Sequence, residues 1–437
     1  MDPVQALGDP RPERRLEALS RLAEALRRGS LQRPSAGEDV NNHIHTFYSF
    51  SPYSPAEAVW RSFTSGLTTA GIMDHDTISG AREFIAAGRQ IGLATTIGVE
   101  CRCDFSGTPL AGRRINNPDQ LSVAYVALHG IPHGRIEEVR EYFRPLQQAR
   151  NERNRRMVDR LNAHLGRREL ALDFQTDVVS LSRSAEQGTI TERHILFALA
   201  LRMIECCGRG RALVDFLERE LGLRPPARVR AYLLDEANPH YAYDLLGALK
   251  SDLVPAFYLD AGPECPAAAE LLAFSRRIGA IAAYAYLGDV TESVTGDKKA
   301  QNFEDGYLEE LFEVITALGF QAVTYMPNRN TFEQLQRVQA LCRRHSLFQI
   351  SGVDINSPRQ SFTCPELRLP QFRHLITATW ALIGHELEAT EDPERGMFSP
   401  RSVRRCPRLE ERIAAFAERG KRLCGAGEIR PAGEPAG

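Results

Sequence analysis

His43 and His45 stand one residue apart in Asn41-Asn42-His43-Ile44-His45-Thr46. Side chains at i and i+2 of a strand leave on the same face, so one ion can reach both. Further on, Gly71-Ile72-Met73-Asp74-His75-Asp76-Thr77 is a second short apolar run ending in ligand-type residues, and Thr96-Ile97-Gly98-Val99-Glu100 is a third. An isolated His-x-His is more often an ordinary polar strand end than a metal site. Three such endings in succession reverse that balance. Imidazoles and carboxylates delivered at the ends of neighbouring strands, completed by a distant Asp, make a hydrolytic metal centre.

The elements that must position these residues are legible in the pattern of apolar residues. Over residues 11–28, Leu16, Leu19, Leu22, Ala23 and Leu26 recur at helical spacing, and Gly29-Ser30 ends the helix. From 40 to 130 the chain alternates strand and helix: strands at 71–73, 94–103 and 121–128, helices at 55–65 and 81–90. That alternation predicts a parallel sheet or an α/β barrel, and barrels gather functional residues at the C-terminal ends of their strands. Long helical patterns at 137–165 and 191–206 mark a helical insertion over about 135–235. Strands at 278–286, 322–325 and 348–353 then alternate with helices at 266–277, 307–318 and 331–345. Helices at 371–384 and 407–423 follow. The expected organisation is an N-terminal helical extension (1–38), a barrel (39–365), C-terminal helices (366–424) and a disordered Gly-, Ala- and Pro-rich tail (425–437).

The 437 residues are 43% hydrophobic and 25% charged, as in globular proteins, with a net charge of −2. No overall basic field recruits nucleic acid, and no apolar run is long enough to span a membrane. The N-terminus lacks the layout of a secretory signal. Nine cysteines without a disulfide-like framework fit reduced thiols in a cytoplasm. Strand alternation explains Cys101-Arg102-Cys103 as well as soft-metal binding would.

The motifs HIHT (43–46), GIMDHDTISG (71–80) and IGVE (97–100) resemble, in order and spacing, the polymerase and histidinol phosphatase (PHP) family of metal-dependent phosphoesterases. Arg153-Asn154-Arg155-Arg156-Met157 and Thr191-Glu192-Arg193-His194-Ile195 resemble that family's helical insertion. Ile350-Ser351-Gly352-Val353-Asp354-Ile355-Asn356 partly matches its closing Gly-Ser-Asp-x-His. The resemblance covers residues 40–365. It implies an α/β fold, a distorted (β/α)7 barrel holding up to three divalent ions at one end. One ion would be bound by His43, His45, Glu100 and Asp354. Four other ligand positions are changed, to Phe50, Ala124, Tyr284 and Asn356. Phe50 and Asn356 would break the site that His75 serves, and Ala124 and Tyr284 the site that shares the Glu. The resemblance thus implies one metal site, with His75 left for proton transfer or substrate binding; His75 and Asp74 are the expected catalytic residues.

Two His and two carboxylates suit Zn²⁺, Mn²⁺ or Fe²⁺ better than Mg²⁺ alone. The expected activity is hydrolysis of a small phosphate ester by a metal-bound hydroxide, with one divalent ion per chain. His194, Arg329, Tyr284 and Asn356 are the expected substrate-binding residues. His129 could replace a lost ligand. Lys298 and Lys299 could hold phosphate by charge, and Asp289 or Glu292 could add a ligand. Another hydrolytic or lyase reaction on the same barrel is the alternative, and a non-catalytic binding module is a second, which metal content would discriminate. The partner is a small molecule, not a membrane or nucleic acid. The helical insertion and C-terminal helices could form a lid or a dimer interface.

Overall fold

Seven strands form one sheet in sequential order: β1 Val40–Ile44, β2 Thr69–His75, β3 Ala94–Asp104, β4 Val123–His129, β5 Ile281–Ala285, β6 Ala322–Tyr325 and β7 Phe348–Ser351. They are seen in a computed structural model that describes residues 2–35, 37–290 and 302–425. Adjacent strands are parallel except at β4, which runs antiparallel to both β3 and β5. The reversal follows from the connection. Residues 105–122 contain no helix to carry the chain back across the sheet, and a parallel crossover needs one.

The sheet curls until β1 meets the residues after β7. Ile44 and Ile355 form a parallel bridge, with His45 N–H donating to Ile355 O (2.9 Å) and Ile355 N–H to His43 O (3.0 Å). Side-chain amides extend this seam: Asn41 Nδ2 donates to Val353 O (3.0 Å) and Asn42 Nδ2 to Ser351 O (2.8 Å). Gly352 makes the closure sterically feasible, because a Cβ there would lie 2.6 Å from His43 Cβ. The result is a nearly closed seven-stranded barrel.

Helices flank it: α1 Pro3–Ala6, α2 Pro12–Arg27, α3 Pro55–Thr64 and α4 Ala81–Ile91 before β3, then α5 Ile136–Leu165, α6 Glu192–Cys207, α7 Arg211–Arg219, α8 Ala227–Leu234, α9 Tyr241–Phe257 and α10 Ala268–Ile278 between β4 and β5. α11 Leu308–Leu318 and α12 Phe332–Arg344 separate the last strands, and α13 His374–Glu391, α14 Pro400–Arg405 and α15 Leu409–Cys424 follow. The insertion is longer than the pattern predicts. Tyr241, Leu245, Leu249 and Phe257 of α9 share an apolar core with Met157, Leu161, Ile195 and Leu199, so the unit continues to Phe257. Leu271 and Phe274 of α10 return to the barrel core.

Met73, Ala127, Ala283, Ala322 and Ile350 line the lower barrel interior and pack on Ala378, Ala381 and Leu382 of α13 and Phe416 of α15. These two helices approach closely, since a Cβ on Gly384 would lie 2.1 Å from Phe416 O. The buried Glu386 of α13 accepts from Thr96 Oγ1 (2.6 Å), Ile97 N–H (2.8 Å) and His133 Nε2 (2.9 Å), tying the helix to the start of β3. At the other end of the chain, α2 docks on α4 through the buried pair Arg15–Glu83.

Below the loop after β5, Glu304 is fully buried. Its Oε1 accepts from Tyr284 Oη (3.1 Å) and Leu287 N–H (3.0 Å), and its Oε2 has no partner among the described residues. Burial pushes this carboxyl from 4.5 up to about 7. A carboxyl with a raised folded-state pKa binds its proton more tightly in the native state. Its stabilising contribution is complete below the unfolded value and is lost as pH rises to the folded one. Denaturant titrations should therefore show stability falling by roughly 2–4 kcal/mol between about pH 4.5 and 7 from this group. Glu304→Gln, which mimics the protonated form, should remove that slope; an unchanged slope would rule Glu304 out as its source.

Candidate metal centre

His43 lies in β1 and His45 just past it, His75 ends β2, and Glu100 lies beside His75 across the β2–β3 ladder. Ligand atoms of His43, His45 and Glu100 all lie within 4.8 Å of one another. His43 Nε2 is 3.6 Å and His75 Nδ1 3.1 Å from Glu100 Oε2. Asp354, delivered by the β7–β1 seam, places Oδ1 3.3 Å from His45 Nε2. Asn356 Nδ2 donates to that same oxygen at 2.6 Å, and Gln360 Nε2 donates to the Asp354 carbonyl at 2.7 Å.

The protonation pattern suits a cation. Ser49 Oγ donates to Asp74 Oδ1 (2.7 Å) and lies 3.3 Å from His45 Nδ1, so Nδ1 carries the proton and Nε2 presents its lone pair. That Nε2 is buried, faces Asp354 Oδ1 at 3.3 Å and has no well-aligned hydrogen-bond partner among the described residues. A carboxylate behind a ligating His fixes the ring and its tautomer. Asp74 is itself held by Thr46 N–H and Thr46 Oγ1, both at 2.6 Å. Its carboxylate thus faces the loop after β1, not the ligand cluster. Ser49→Ala should weaken zinc binding by about 10- to 100-fold, measurable by competition with a chromogenic chelator. An unchanged affinity would mean that the ring is fixed by other contacts.

Burial would raise the Asp354 carboxyl, but His45 and His43 outweigh burial and hold it well below the usual range. For His43 burial works downward, and the Glu100 carboxylate turns the balance upward. His75 is held well below its ordinary value, first by burial and then by the charges of His45 and Arg150.

The remaining expected residues divide. Asn356 is at the centre. His194 is buried at the start of α6, with Nδ1 accepting from Thr191 N–H (3.0 Å) and its ring edge-on to Phe50 at 5.0 Å. Burial lowers it to about 3, so it is neutral with the proton on Nε2. Arg329 donates Nε to Leu287 O (3.1 Å), bracing the loop after β5. Tyr284 is a correction. It pairs with Val126 on the outer face of the sheet and packs in the core beneath the helices, 6.5 Å from Phe320, so it does not face the cluster. Strand parity also moves the β4 position: Ala124 points outward opposite Cys103, whereas Tyr125 faces inward opposite Arg102, its ring 6.0 Å from His75. His129 pairs with Gly98, below Glu100, and is not among the clustered ligands. Its buried Nε2 has no partner and burial lowers it to about 3. Phe50 anchors the insertion against Phe197 and Tyr243. Asp289 Oδ1 accepts from Phe303 N–H at 2.5 Å. Lys298, Lys299, Glu292 and the tail beyond Gly425 lie outside the described residues.

Sequence reading missed a buried charge network above Glu100. Arg102 donates Nη2 to Glu192 (2.8 Å), Arg150 donates to Asp76 and to Glu192 (3.0 Å), and Arg153 donates to Glu264 and to Glu192 (2.7 Å). The signal for Arg102 was present: it stands two residues from Glu100 and so on the same face.

No family model matches the chain. A 5'-3' exoribonuclease of Haemophilus influenzae is 34% identical over 65 residues, 15% of this chain and 24% of that protein. The chain thus spans about a quarter of the length of the curated relative it matches. An amidohydrolase from Chromobacterium violaceum, solved with bound sulfate and no metal, superposes with a TM-score of 0.52 at 17% identity, covering 78% of this chain and 96% of that one. A candidate metal-dependent phosphoesterase from Bifidobacterium adolescentis, at 19% identity and covering 79% of this chain and 98% of that one, gives a TM-score of 0.49, and no argument rests on it. In fold the chain is a nearly closed seven-stranded α/β barrel, a distorted TIM-like barrel.

Proposed function

We propose that this chain is a metal-dependent hydrolase that cleaves a small phosphate ester using one divalent ion, Zn²⁺, Mn²⁺ or Fe²⁺. The observation that carries the reading is the clustering of His43, His45 and Glu100 ligand atoms within 4.8 Å of one another, with Asp354 Oδ1 3.3 Å from the buried His45 Nε2. An ion bound there supplies Lewis acidity, which lowers the pKa of water and polarises a phosphoryl oxygen. His43, His45, Glu100 and Asp354 would hold it. Asn356 orients Asp354, and Asp74 acts through Ser49 to orient His45. Because Nδ1 of His75 faces Glu100, Nε2 is the atom that takes a proton from the nucleophile or gives one to the leaving group. Burial favours the neutral His75 ring, whose Nε2 lone pair is then open to a proton. His194 Nε2–H is a donor for a substrate oxygen.

The net charge of −2 favours a small substrate. The short match to an exoribonuclease supports a second reading, in which the phosphoester belongs to an RNA end. A third, hydrolysis of a C–N or C–O bond, is supported only by a barrel shared with an amidohydrolase. Nine unpaired cysteines suit a reducing compartment such as the cytoplasm, and no helix among the described residues is long and apolar enough to cross a membrane. The test is a panel of phosphomonoesters, short RNAs and amides given to zinc-, manganese- and iron-loaded protein. Phosphate release from small esters supports the proposal. Turnover confined to amides, or none on any substrate with full metal loading, refutes it.

A further inference from the structure

The inner face of β3 and β4, beside the metal cluster, carries two polar groups with unused hydrogen-bonding capacity. Arg102 is 3% exposed. Its Nε donates to Tyr125 Oη at 3.4 Å and its Nη2 to Glu192 at 2.8 Å. Both contacts use one edge of the guanidinium, and Nη1 on the other edge is buried without an acceptor among the described residues. A buried donor left unpaired is costly, and so points to an absent acceptor. Tyr125 is the strand neighbour of Arg102, and its ring lies 6.0 Å from that of His75. Having accepted from Arg102, its hydroxyl keeps its own hydrogen to donate.

We infer that Arg102 and Tyr125 bind the negative charge of the substrate's phosphoryl oxygens, taking the place of a second metal ion. The inference rests on the hydrolase reading above and adds an anion-binding wall to it. The argument is one of charge. Positive groups aimed at the oxygens of a phosphoryl group stabilise the charge that develops there in transfer, and among the described residues one candidate metal cluster is found, so a second cation beside it is supplied by a side chain. At the position on β4 that faces His75 the chain has Tyr125, which is not a ligand suited to a divalent cation. Across from it, where the strand returns past Glu100, it has a permanent cation. Arg102 is kept ionised and oriented by Glu192, which Arg150 and Arg153 also hold in place. A guanidinium suits this task because its planar donors match the tetrahedral oxygens of phosphate.

The experiment measures binding of inorganic phosphate to zinc-loaded protein by calorimetry, alongside zinc content, melting temperature and turnover. Arg102→Gln should weaken phosphate binding by about 10- to 100-fold, and Tyr125→Phe by a smaller factor, each with wild-type zinc stoichiometry. Arg102→Lys keeps the charge without the fork and should recover only part of the loss. Added guanidinium should restore turnover to Arg102→Ala, a response that a purely structural arginine would not give. Wild-type phosphate affinity in both Arg102→Lys and Tyr125→Phe overturns the inference, whether or not Arg102→Gln folds. Turnover of phosphate esters that survives these changes also overturns it and leaves the hydrolase reading standing. A wild type inert on every ester, whose phosphate binding is nevertheless lost in Arg102→Gln, refutes the hydrolase reading and retains the anion site.

Discussion

Purified wild-type protein should carry about one Zn, Mn or Fe ion per chain, and His43→Ala, His45→Ala and Asp354→Ala should each lose it together with activity. The expected fall in kcat/KM is about 10³-fold or more, because the ion's Lewis acidity contributes several kcal/mol. Three features set this size. His45 Nε2 is buried and faces Asp354 Oδ1 at 3.3 Å, so removing the ring subtracts a ligand outright. Asp354 supplies one of two carboxylates, and without it the donor set is less anionic by one charge. His43 is one of the three residues whose ligand atoms cluster among the described residues, with His45 and Glu100. Elemental analysis after gel filtration reads the result directly. Two or three ions per wild-type chain would show that other residues complete further sites and would end the single-ion account. Full metal retention in all three variants would place the ion elsewhere.

Glu83→Ala is expected to destabilise the protein by about 3–5 kcal/mol, a large share of ordinary domain stability. Arg15 donates Nε to Glu83 Oε1 (2.8 Å) and Nη2 to Oε2 (2.5 Å), and its Nη1 reaches the carbonyls of Asp9 (2.7 Å) and Pro10 (2.9 Å). The same carboxylate accepts from Ala56 N–H (3.1 Å) in the first turn of α3. Truncating it strands a fully buried guanidinium and an amide at once. Replacing both partners, Arg15→Met with Glu83→Leu, should cost far less, because no charge is left buried. Urea denaturation of the two variants decides the point. Equal losses in both would mean that shape, not uncompensated charge, governs this contact.

Much of this was legible in the residues. The i, i+2 spacing of His43 and His45, and strand-ending His75 and Glu100, brought these four clustered or adjacent groups together from sequence, because strand alternation is a local rule. Helix spacing likewise located α2, α5 and α12. What could not be read depended on the path of the chain. The reversal of β4 is set by the loop at 105–122, and it decides that Tyr125 and not Ala124 faces His75. Tyr284 looked like a site residue by position along its strand, yet parity across the β4–β5 pairing turns it to the outer face. Arg102 was overlooked because charged residues inside a barrel are costly; only the pairing with Glu192, distant in sequence, makes one tolerable. The length of the insertion was misjudged because α9 is apolar around much of its circumference and reads equally well as barrel core.

The seam between β1 and the residues after β7 joins chain segments more than 300 positions apart, and His43, His45 and Asp354 lie on its two sides. The binding site is therefore a late product of folding. No fragment lacking either strand possesses it, and the long loop that must close before these side chains meet makes the step slow. An ion held across the seam acts as a clasp, favouring the closed ring in proportion to its affinity and concentration. Metal uptake during refolding should then lag the appearance of helical signal, and chelation should loosen β1 and the stretch around Asp354 before any other part of the barrel exchanges its amide protons.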